Sequence, residues 1–206
     1  MNSSKLYLFD FDGTLIDSHE AMVYIFTESY ASVGIKVDPS YIWRLMRIPL
    51  EVGYDELNAP KDKTDIFTET LISCLNNKKT LSLTKIYPDT LDLLNRLKKE
   101  NKLIGIVTSN SREHVLDVLD SIGIDSSIFN IIIGNGETSK HKPDPEPVLT
   151  AISKMNMNKE EVIYIGDALD DMTCAKNAGV KHILLDRMNE YSNINCDIIH
   201  SLHEVE

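Results

Sequence analysis

Short apolar runs alternate with helical segments through the second half of this 206-residue chain. A strand buried on both faces needs apolar side chains on both, so such runs are typical of parallel sheets covered by helices. The sequence therefore predicts an α/β fold, a Rossmann-like, doubly wound parallel sheet that binds ligands at the carboxyl ends of its strands. The predicted strands of this half are 103–107, 129–133, 162–166 and, as the last, 182–185.

One further apolar run, residues 6–9, comes near the start and ends in Asp10-Phe11-Asp12-Gly13. Residues two apart face the same side of an extended backbone, so Asp10 and Asp12 point together while Phe11 enters the core. Two such carboxylates repel each other unless a cation lies between them, and Mg²⁺ takes carboxylate oxygens together with waters and a substrate phosphate. Taken alone, the stretch fits a magnesium site and an ordinary acidic turn equally well, and the rest of the chain decides between them.

No strand pattern occurs between about residues 16 and 83, where apolar residues recur at helical spacing. This region is predicted to be a small all-helical domain inserted after the first strand. Its helices are predicted to begin at Asp17 or Ser18, at Asp38-Pro39 and at about Thr64. The predicted core domain is then 1–15 with 84–206, and the predicted helical domain is 16–83.

Three polar stretches follow predicted strands or open helices of the core. Thr108-Ser109-Asn110 offers hydroxyls and free N–H groups to a phosphate oxygen, although Asn110 is also predicted to be a plain helix cap. Lys142 lies at the start of a predicted helix. Asp167 lies in a turn before Asp170 and Asp171, which alternatively only favour a helix N-terminus.

In chain order, Asp-x-Asp-Gly-Thr, strand-Thr, Lys-Pro-x-Pro and Gly-Asp-x-x-x-Asp resemble the four motifs of the haloacid dehalogenase (HAD) superfamily. The helical insertion between the first two motifs is similar to the cap of the phosphoglycolate phosphatase and β-phosphoglucomutase group. The resemblance implies a Mg²⁺-dependent phosphomonoester hydrolase, an HAD-like phosphatase that acts on a small phosphorylated metabolite through an aspartyl-phosphate intermediate.

The resemblance also implies roles for the motif residues. Asp10 is expected to be the nucleophile, and Asp12 the general acid that then becomes the base for the attacking water. Thr108 and Lys142 are expected to bind the transferred phosphate. The further candidates for substrate binding are Ser109 and Asn110.

The expected Mg²⁺ ligands are Asp10, the Asp12 backbone carbonyl and Asp167, with Asp171 as a further ligand or a support for the others. Arg47 is a candidate for gripping an anionic substrate from the cap, with a solvated surface charge as the alternative. Family members usually carry glycine at that position, which argues against phosphoglycolate itself as the substrate.

Two alternative functions stay open. A β-phosphoglucomutase-like sugar phosphate mutase has a cap-hinge histidine twelve residues after the nucleophile, where this chain has Met22, so a hydrolase is favoured. A phospho-acceptor signalling module also combines an acidic pocket, a hydroxyl and a lysine on a parallel sheet. Such modules are shorter and lack the helical insertion.

The amino-acid composition limits which binding partners and which cellular compartment are expected. The chain has 21 basic and 32 acidic residues, a net charge of −11, which disfavours nucleic-acid binding. No apolar run approaches the roughly 18 residues of a membrane span, and no signal peptide is apparent. The three cysteines form no Cys-x-x-Cys pair and fit a reducing compartment. We expect a cytoplasmic protein with no membrane partner, monomeric or, alternatively, dimeric.

Overall fold

A computed structural model describes residues 5–46, 48, 50–75, 77–192 and 194–206, with Trp43 described by its backbone only. The chain divides into two compact units, Met1–Asp17 with Ile86–Glu206, and Ser18–Lys85. Each division falls two residues beyond the predicted domain boundary.

Strands β1 and β4–β8 form one six-stranded parallel sheet in the order β5-β4-β1-β6-β7-β8, while β2 and β3 form a separate two-stranded sheet. The strands are β1 (Leu6–Phe9), β2 (Ile16–Asp17), β3 (Lys85–Ile86), β4 (Leu103–Ser111), β5 (Ile131–Asn135), β6 (Val162–Gly166), β7 (Lys181–Leu185) and β8 (Asp197–Ile199). The winding reverses after β5, because β6 returns to the other side of β1. Such a reversal places a ligand crevice at the carboxyl end of the central strand.

The helices of the second unit come first along the chain, followed by those of the first unit. They are α1 (His19–Ser32), α2 (Pro39–Leu45), α3 (Leu50–Glu56), α4 (Thr64–Leu75), α5 (Lys78–Leu83), α6 (Pro88–Lys99), α7 (Arg112–Ser121), α8 (Glu146–Lys154) and α9 (Leu169–Ala178). Short 3₁₀ helices span Lys61–Lys63, Ser126–Ile128, Lys159–Glu161 and Leu202–Glu204. Among the described residues, none of these helices combines the length and the apolar character that crossing a bilayer requires.

The sheet of the first unit is buried on both faces, as its apolar strands predict. All four residues of β1 are buried. Leu8 of β1 belongs to a core cluster with Val107 of β4, Tyr164 of β6, Val148 of α8 and Ala175 of α9. This packing confirms the predicted α/β fold with its doubly wound parallel sheet.

Two details of the predicted first unit are wrong. Strand β4 continues to Ser111, which pairs with Asn135 of β5, and the Ser111 side chain accepts the His114 N–H at 3.2 Å. Ser111 therefore caps α7, and the prediction that Asn110 is the cap fails because the strand runs on past it. Strand β8 follows the strand predicted to be last; it has only three residues and lies at the sheet edge, so it leaves a weak pattern.

The second unit is helical and has its own core. Rings of Phe26, Tyr30, Tyr54 and Phe67 lie in contact, the closest pair, Tyr30 and Phe67, with centroids 4.9 Å apart. Asp38 caps α2 by accepting the Ser40 N–H at 2.8 Å, as its position before Pro39 predicts.

Candidate active site

Asp10 lies at the carboxyl end of the central strand. Its N–H donates to the Ile165 carbonyl of β6 at 2.9 Å, which continues the strand register by one residue. The side chain is buried, and its Oδ1 lies 2.6 Å from Lys142 Nζ. The sheet thus delivers a carboxylate and an ammonium to one buried point from positions 132 residues apart in sequence.

The Lys142 ammonium lies between two carboxylates and a phenol. Its Nζ is 2.7 Å from Asp171 Oδ1 as well as 2.6 Å from Asp10 Oδ1, and 3.4 Å from the Tyr164 hydroxyl. That hydroxyl lies 3.0 Å from both Asp171 Oδ1 and the Val107 carbonyl oxygen. The Lys142 side chain is only 9% exposed, and its ammonium has these three hydrogen-bond partners inside the protein.

Asp10, Asp167 and Asp171 form an acidic cluster, each offering one oxygen within 4.8 Å of the others. Asp167 accepts a hydrogen bond from Thr14 Oγ1 at 3.3 Å. Asp171 accepts the Ala168 N–H at 3.1 Å, in the first turn of α9. Asp171 is therefore tied to backbone and to Lys142, which agrees with a supporting position for this carboxylate.

The charges of this cluster do not balance within the protein. Burial raises the pKa of Asp10 well above its ordinary value, and Asp171 and Asp167 add to this while Lys142 opposes it. Burial together with Asp171 raises the pKa of Asp167 to about 7. Burial lowers the pKa of Lys142, but attraction to Asp10 and Asp171 outweighs it and holds that pKa well above the ordinary value. The cluster therefore contains three carboxyl groups, Asp10, Asp167 and Asp171, and one buried ammonium to neutralise them.

These residues fit a divalent cation. Converging carboxylate oxygens with excess negative charge are the donor set that Mg²⁺ binds, usually through one or two carboxylates and several waters. Asp10 and Asp167 are the members of the cluster best suited as direct ligands, since both oxygens of Asp171 accept hydrogen bonds, Oδ1 from Lys142 and Tyr164 and Oδ2 from the Ala168 N–H.

A second polar group lies at the end of β4. Asn110 Nδ2 donates to Asp12 Oδ2, and the Asn110 N–H donates to Thr108 Oγ1 at 3.2 Å. Thr108 is buried and Ser109 is exposed. The structure therefore brings Asp12, Thr108 and Asn110 together, while Arg47 lies outside the described residues.

Residues 7–185 match the protein family of haloacid dehalogenase-like hydrolases. The chain belongs to this family. The match spans the four motifs from Asp10 to Asp171, and it confirms the predicted HAD membership and the prediction that the protein is an enzyme, an HAD-like phosphatase.

Individual relatives of this HAD hydrolase agree with the family match. A pyrophosphatase PpaX of Bacillus velezensis is 32% identical over 176 residues, which cover 84% of this chain and 79% of the relative. A phosphoglycolate phosphatase of Haemophilus influenzae is 25% identical over 185 residues, covering 85% and 82%. The crystal structure of a haloacid dehalogenase-like hydrolase from Bacteroides fragilis has a TM-score of 0.79 at 33% identity and covers 89% of this chain and 88% of that one.

Two residues of this HAD site have no counterpart among the sequence predictions. Tyr164 reads as one apolar residue of a buried strand, and only the assembled sheet brings its hydroxyl to Asp171 and Lys142. Thr14 lies inside the first motif, so its contact with Asp167 was open to prediction from the shared strand-end edge.

Proposed function

We propose that this HAD phosphatase is a Mg²⁺-dependent phosphomonoester hydrolase that acts on a small phosphorylated metabolite through an aspartyl-phosphate intermediate. The observation that carries the proposal is the buried Asp10 carboxylate held 2.6 Å from Lys142 Nζ beside Asp167 and Asp171. A carboxylate is a nucleophile without help from a base once it is ionised, and its obstacle is repulsion from an anionic phosphate. Lys142 offsets that repulsion.

The proposed reaction has two displacements. In the first, an Asp10 oxygen attacks phosphorus, the bond from phosphorus to the leaving oxygen breaks, and Asp12 gives that oxygen a proton. In the second, water attacks the phosphorus of the aspartyl phosphate, Asp12 takes its proton, and inorganic phosphate leaves with Asp10 restored. The use of one group as acid and then as base is ordinary general acid–base catalysis.

Mg²⁺, bound by Asp10, Asp167 and the Asp12 backbone carbonyl with Asp171 in support, would supply charge neutralisation to the transferring phosphoryl group. The chain's own residues would do the remainder. Lys142 and the Thr108 hydroxyl would bind the phosphoryl oxygens, with Ser109 and Asn110 at the same strand end. The bond from Asn110 to Asp12 supports a fixed orientation of the general acid.

The substrate candidates follow from the relatives. One relative is named a pyrophosphatase and another a phosphoglycolate phosphatase, so pyrophosphate and phosphoglycolate are the first compounds to test. Small sugar phosphates and nucleotides belong in the same panel. Arg47 stays the sequence-based candidate for contacting an anionic substrate.

The test is release of inorganic phosphate from this panel and from p-nitrophenyl phosphate, with Mg²⁺ or with excess EDTA. Wild type should turn over repeatedly with Mg²⁺ only, and Asp10→Asn should be inactive while keeping the wild-type melting temperature within a few degrees. The acid-quenched protein should carry phosphate that hydroxylamine removes, as an acyl phosphate does. Asp10→Asn activity within tenfold of wild type, or full activity in EDTA, would contradict the proposal, and a single turnover would favour the phospho-acceptor alternative.

The remaining expectations stay predictions from the sequence. They are a cap role for the helical unit, a monomeric or dimeric state, cytoplasmic location, and no nucleic-acid or membrane partner. In the part of the chain that the structure describes, no observation favours a mutase activity. Interconversion of sugar phosphate isomers without phosphate release would nevertheless identify it in the same panel.

A further inference from the structure

Arg187 follows β7 and lies against the backbone of the turn after Asp10. Its Nε donates to the Gly13 carbonyl oxygen at 3.3 Å, and its Nη2 donates to the Thr14 carbonyl oxygen at 2.9 Å. Asp12 immediately precedes these two residues. A single guanidinium therefore binds two successive carbonyls of the turn that carries the proposed nucleophile and general acid.

The guanidinium is itself anchored on its other side. Nη1 and Nη2 donate to the two Asp89 oxygens at 2.8 and 3.1 Å, a bidentate pair, and the guanidinium carbon lies 3.8 Å from the Tyr87 ring centroid. Asp89 also accepts from Ser201 Oγ at 2.8 Å and from the Leu202 N–H at 2.9 Å. Planar, bidentate and stacked contacts fix an arginine in a way that a lysine cannot reproduce.

The loop that carries Arg187 also reaches the other aspartate-bearing turn. Asp186 folds this loop by accepting the Glu190 and Tyr191 N–H groups at 2.9 and 3.0 Å. The Tyr191 hydroxyl then donates to the Asp167 carbonyl oxygen at 3.2 Å. One loop thus holds the backbone on both sides of the acidic cluster.

We propose that Arg187 is a positioning residue for the hydrolytic reaction, an inference that rests on the proposed function. By binding the Gly13 and Thr14 carbonyls it fixes the turn between β1 and β2, and with it the direction of Asp10 and Asp12. Within the turn, the Leu15 and Ile16 N–H groups both donate to the Phe11 carbonyl, at 2.9 and 3.1 Å, and the Gly13 N–H donates to the Ile16 carbonyl at 2.9 Å. The Thr14 hydroxyl also donates to Asp167 at 3.3 Å, and Arg187 supplies the bonds to the Gly13 and Thr14 carbonyl oxygens. The competing explanation is that Arg187 and Asp89 form only a structural ion pair.

A matched pair of variants separates these explanations. Arg96 in the last turn of α6 also donates to a backbone carbonyl, that of Val205, and has an acidic neighbour in Glu100 at 4.0 Å. Arg96→Met therefore removes the same kind of bond from the same unit, away from the turn. Arg187→Met removes it at the turn.

Two measurements are made on the full-length variants: steady-state kinetics with p-nitrophenyl phosphate, and peptide-resolved hydrogen exchange. In Arg187→Met we expect faster exchange in residues 9–17, unchanged exchange in residues 103–111, and kcat lower by about tenfold or more with KM within about threefold. Arg96→Met should leave kcat and exchange in residues 9–17 at wild-type values, with a similar loss of melting temperature.

The proposal is overturned if Arg187→Met keeps kcat within about twofold, or if its exchange rises equally across the first unit. If Arg187→Met does not fold, Arg187→Lys decides, because it keeps the charge beside Asp89 but cannot reach both carbonyls. It should still speed exchange in residues 9–17, and wild-type exchange there would refute the proposal. Absence of wild-type turnover would contradict the proposed function instead, while the exchange result still decides whether Arg187 holds the turn.

Discussion

Gly13 approaches Asp167 so closely that a side chain at position 13 would collide with the carboxylate. A Cβ built on Gly13 would lie 2.8 Å from Asp167 Cγ, and Gly13 has a φ of +73°, where residues with a side chain are strained. Both features require glycine at this point. They explain in physical terms why the first motif contains Gly directly after Asp12.

We predict that Gly13→Ala lowers kcat by at least about a hundredfold, because Asp167 must move and a misplacement of about 1 Å has effects of this size. The melting temperature should fall as well, since the backbone strain costs about 1 kcal/mol or more. Gly34→Ala is the matched control: it has a φ of +86° but nothing within 4 Å of its Cβ position. Gly34→Ala should lose stability and keep kcat. Equal losses of activity in both variants would contradict the collision.

A second prediction concerns the buried ammonium group of Lys142. Lys142→Met leaves the Asp10 and Asp171 carboxylates buried without their partner, a change that typically costs about 3–5 kcal/mol of unfolding free energy. The loss should be smaller at pH 5 than at pH 8, since a raised pKa lets Asp10 take up a proton instead. Loss of a charge that stabilises the transition state should also lower kcat by about a hundredfold or more.

The control for this prediction is Lys140→Met. Lys140 forms an exposed ion pair with Asp144 at 3.1 Å, and exposed pairs contribute about 0–1 kcal/mol. Urea unfolding and phosphate release are measured for both variants in EDTA and in Mg²⁺. A Lys142→Met protein as stable and active as Lys140→Met would show that the buried ammonium is dispensable.

A third prediction concerns pH and follows from Asp167, whose pKa is raised from 3.8 to about 7 in the folded protein. Between these values the folded chain binds more protons than the unfolded chain, so this group lowers the unfolding free energy as pH rises. The metal-free protein should therefore melt at a lower temperature at pH 8 than at pH 5, and Asp167→Asn should weaken that dependence. A melting temperature that rises steadily from pH 5 to 8, equally in both proteins, would contradict it.

Magnesium should oppose this fall in melting temperature between pH 5 and pH 8, because metal binding requires deprotonated ligands and releases protons. The rise in melting temperature on adding Mg²⁺ should be larger at pH 8 than at pH 5 in wild type and nearly absent in Asp167→Asn. Calcium should substitute poorly in activity, since it favours looser and higher coordination.

The meeting of Asp10, Lys142 and Asp167 could be predicted because parallel strands end at the same sheet edge. Each prediction needed only a strand end or a helix start, features that neighbouring residues determine. The place of Asn110 depended instead on how far β4 runs. Pairing of Ser111 with Asn135 extends that strand, and no local pattern encodes a partner so far along the chain.

Arg187 was beyond prediction for the same reason. Its partners Gly13 and Asp89 lie 174 and 98 positions away, and its own segment contains no motif. An isolated arginine in a loop is usually a surface charge, and only the folded chain shows that this side chain is 15% exposed and bonded to Asp89 and to two backbone carbonyls. Long-range side-chain-to-backbone contacts of this kind leave no periodicity for a sequence pattern to detect.

A last prediction concerns Tyr164, whose hydroxyl joins Asp171, Lys142 and the Val107 carbonyl beneath the site. Tyr164→Phe keeps the ring volume and removes only that hydroxyl. Because hydrogen bonds to charged groups contribute about 1.5–3 kcal/mol, we expect kcat/KM to fall by about tenfold or more as Lys142 and Asp171 lose a fixed neighbour. Tyr7→Phe on β1 is the matched control, since its hydroxyl donates to the Glu206 carbonyl at 3.0 Å. Steady-state kinetics and thermal unfolding of the two variants make the comparison, and similar kcat/KM values in both would mean that the Tyr164 hydroxyl only stabilises the core.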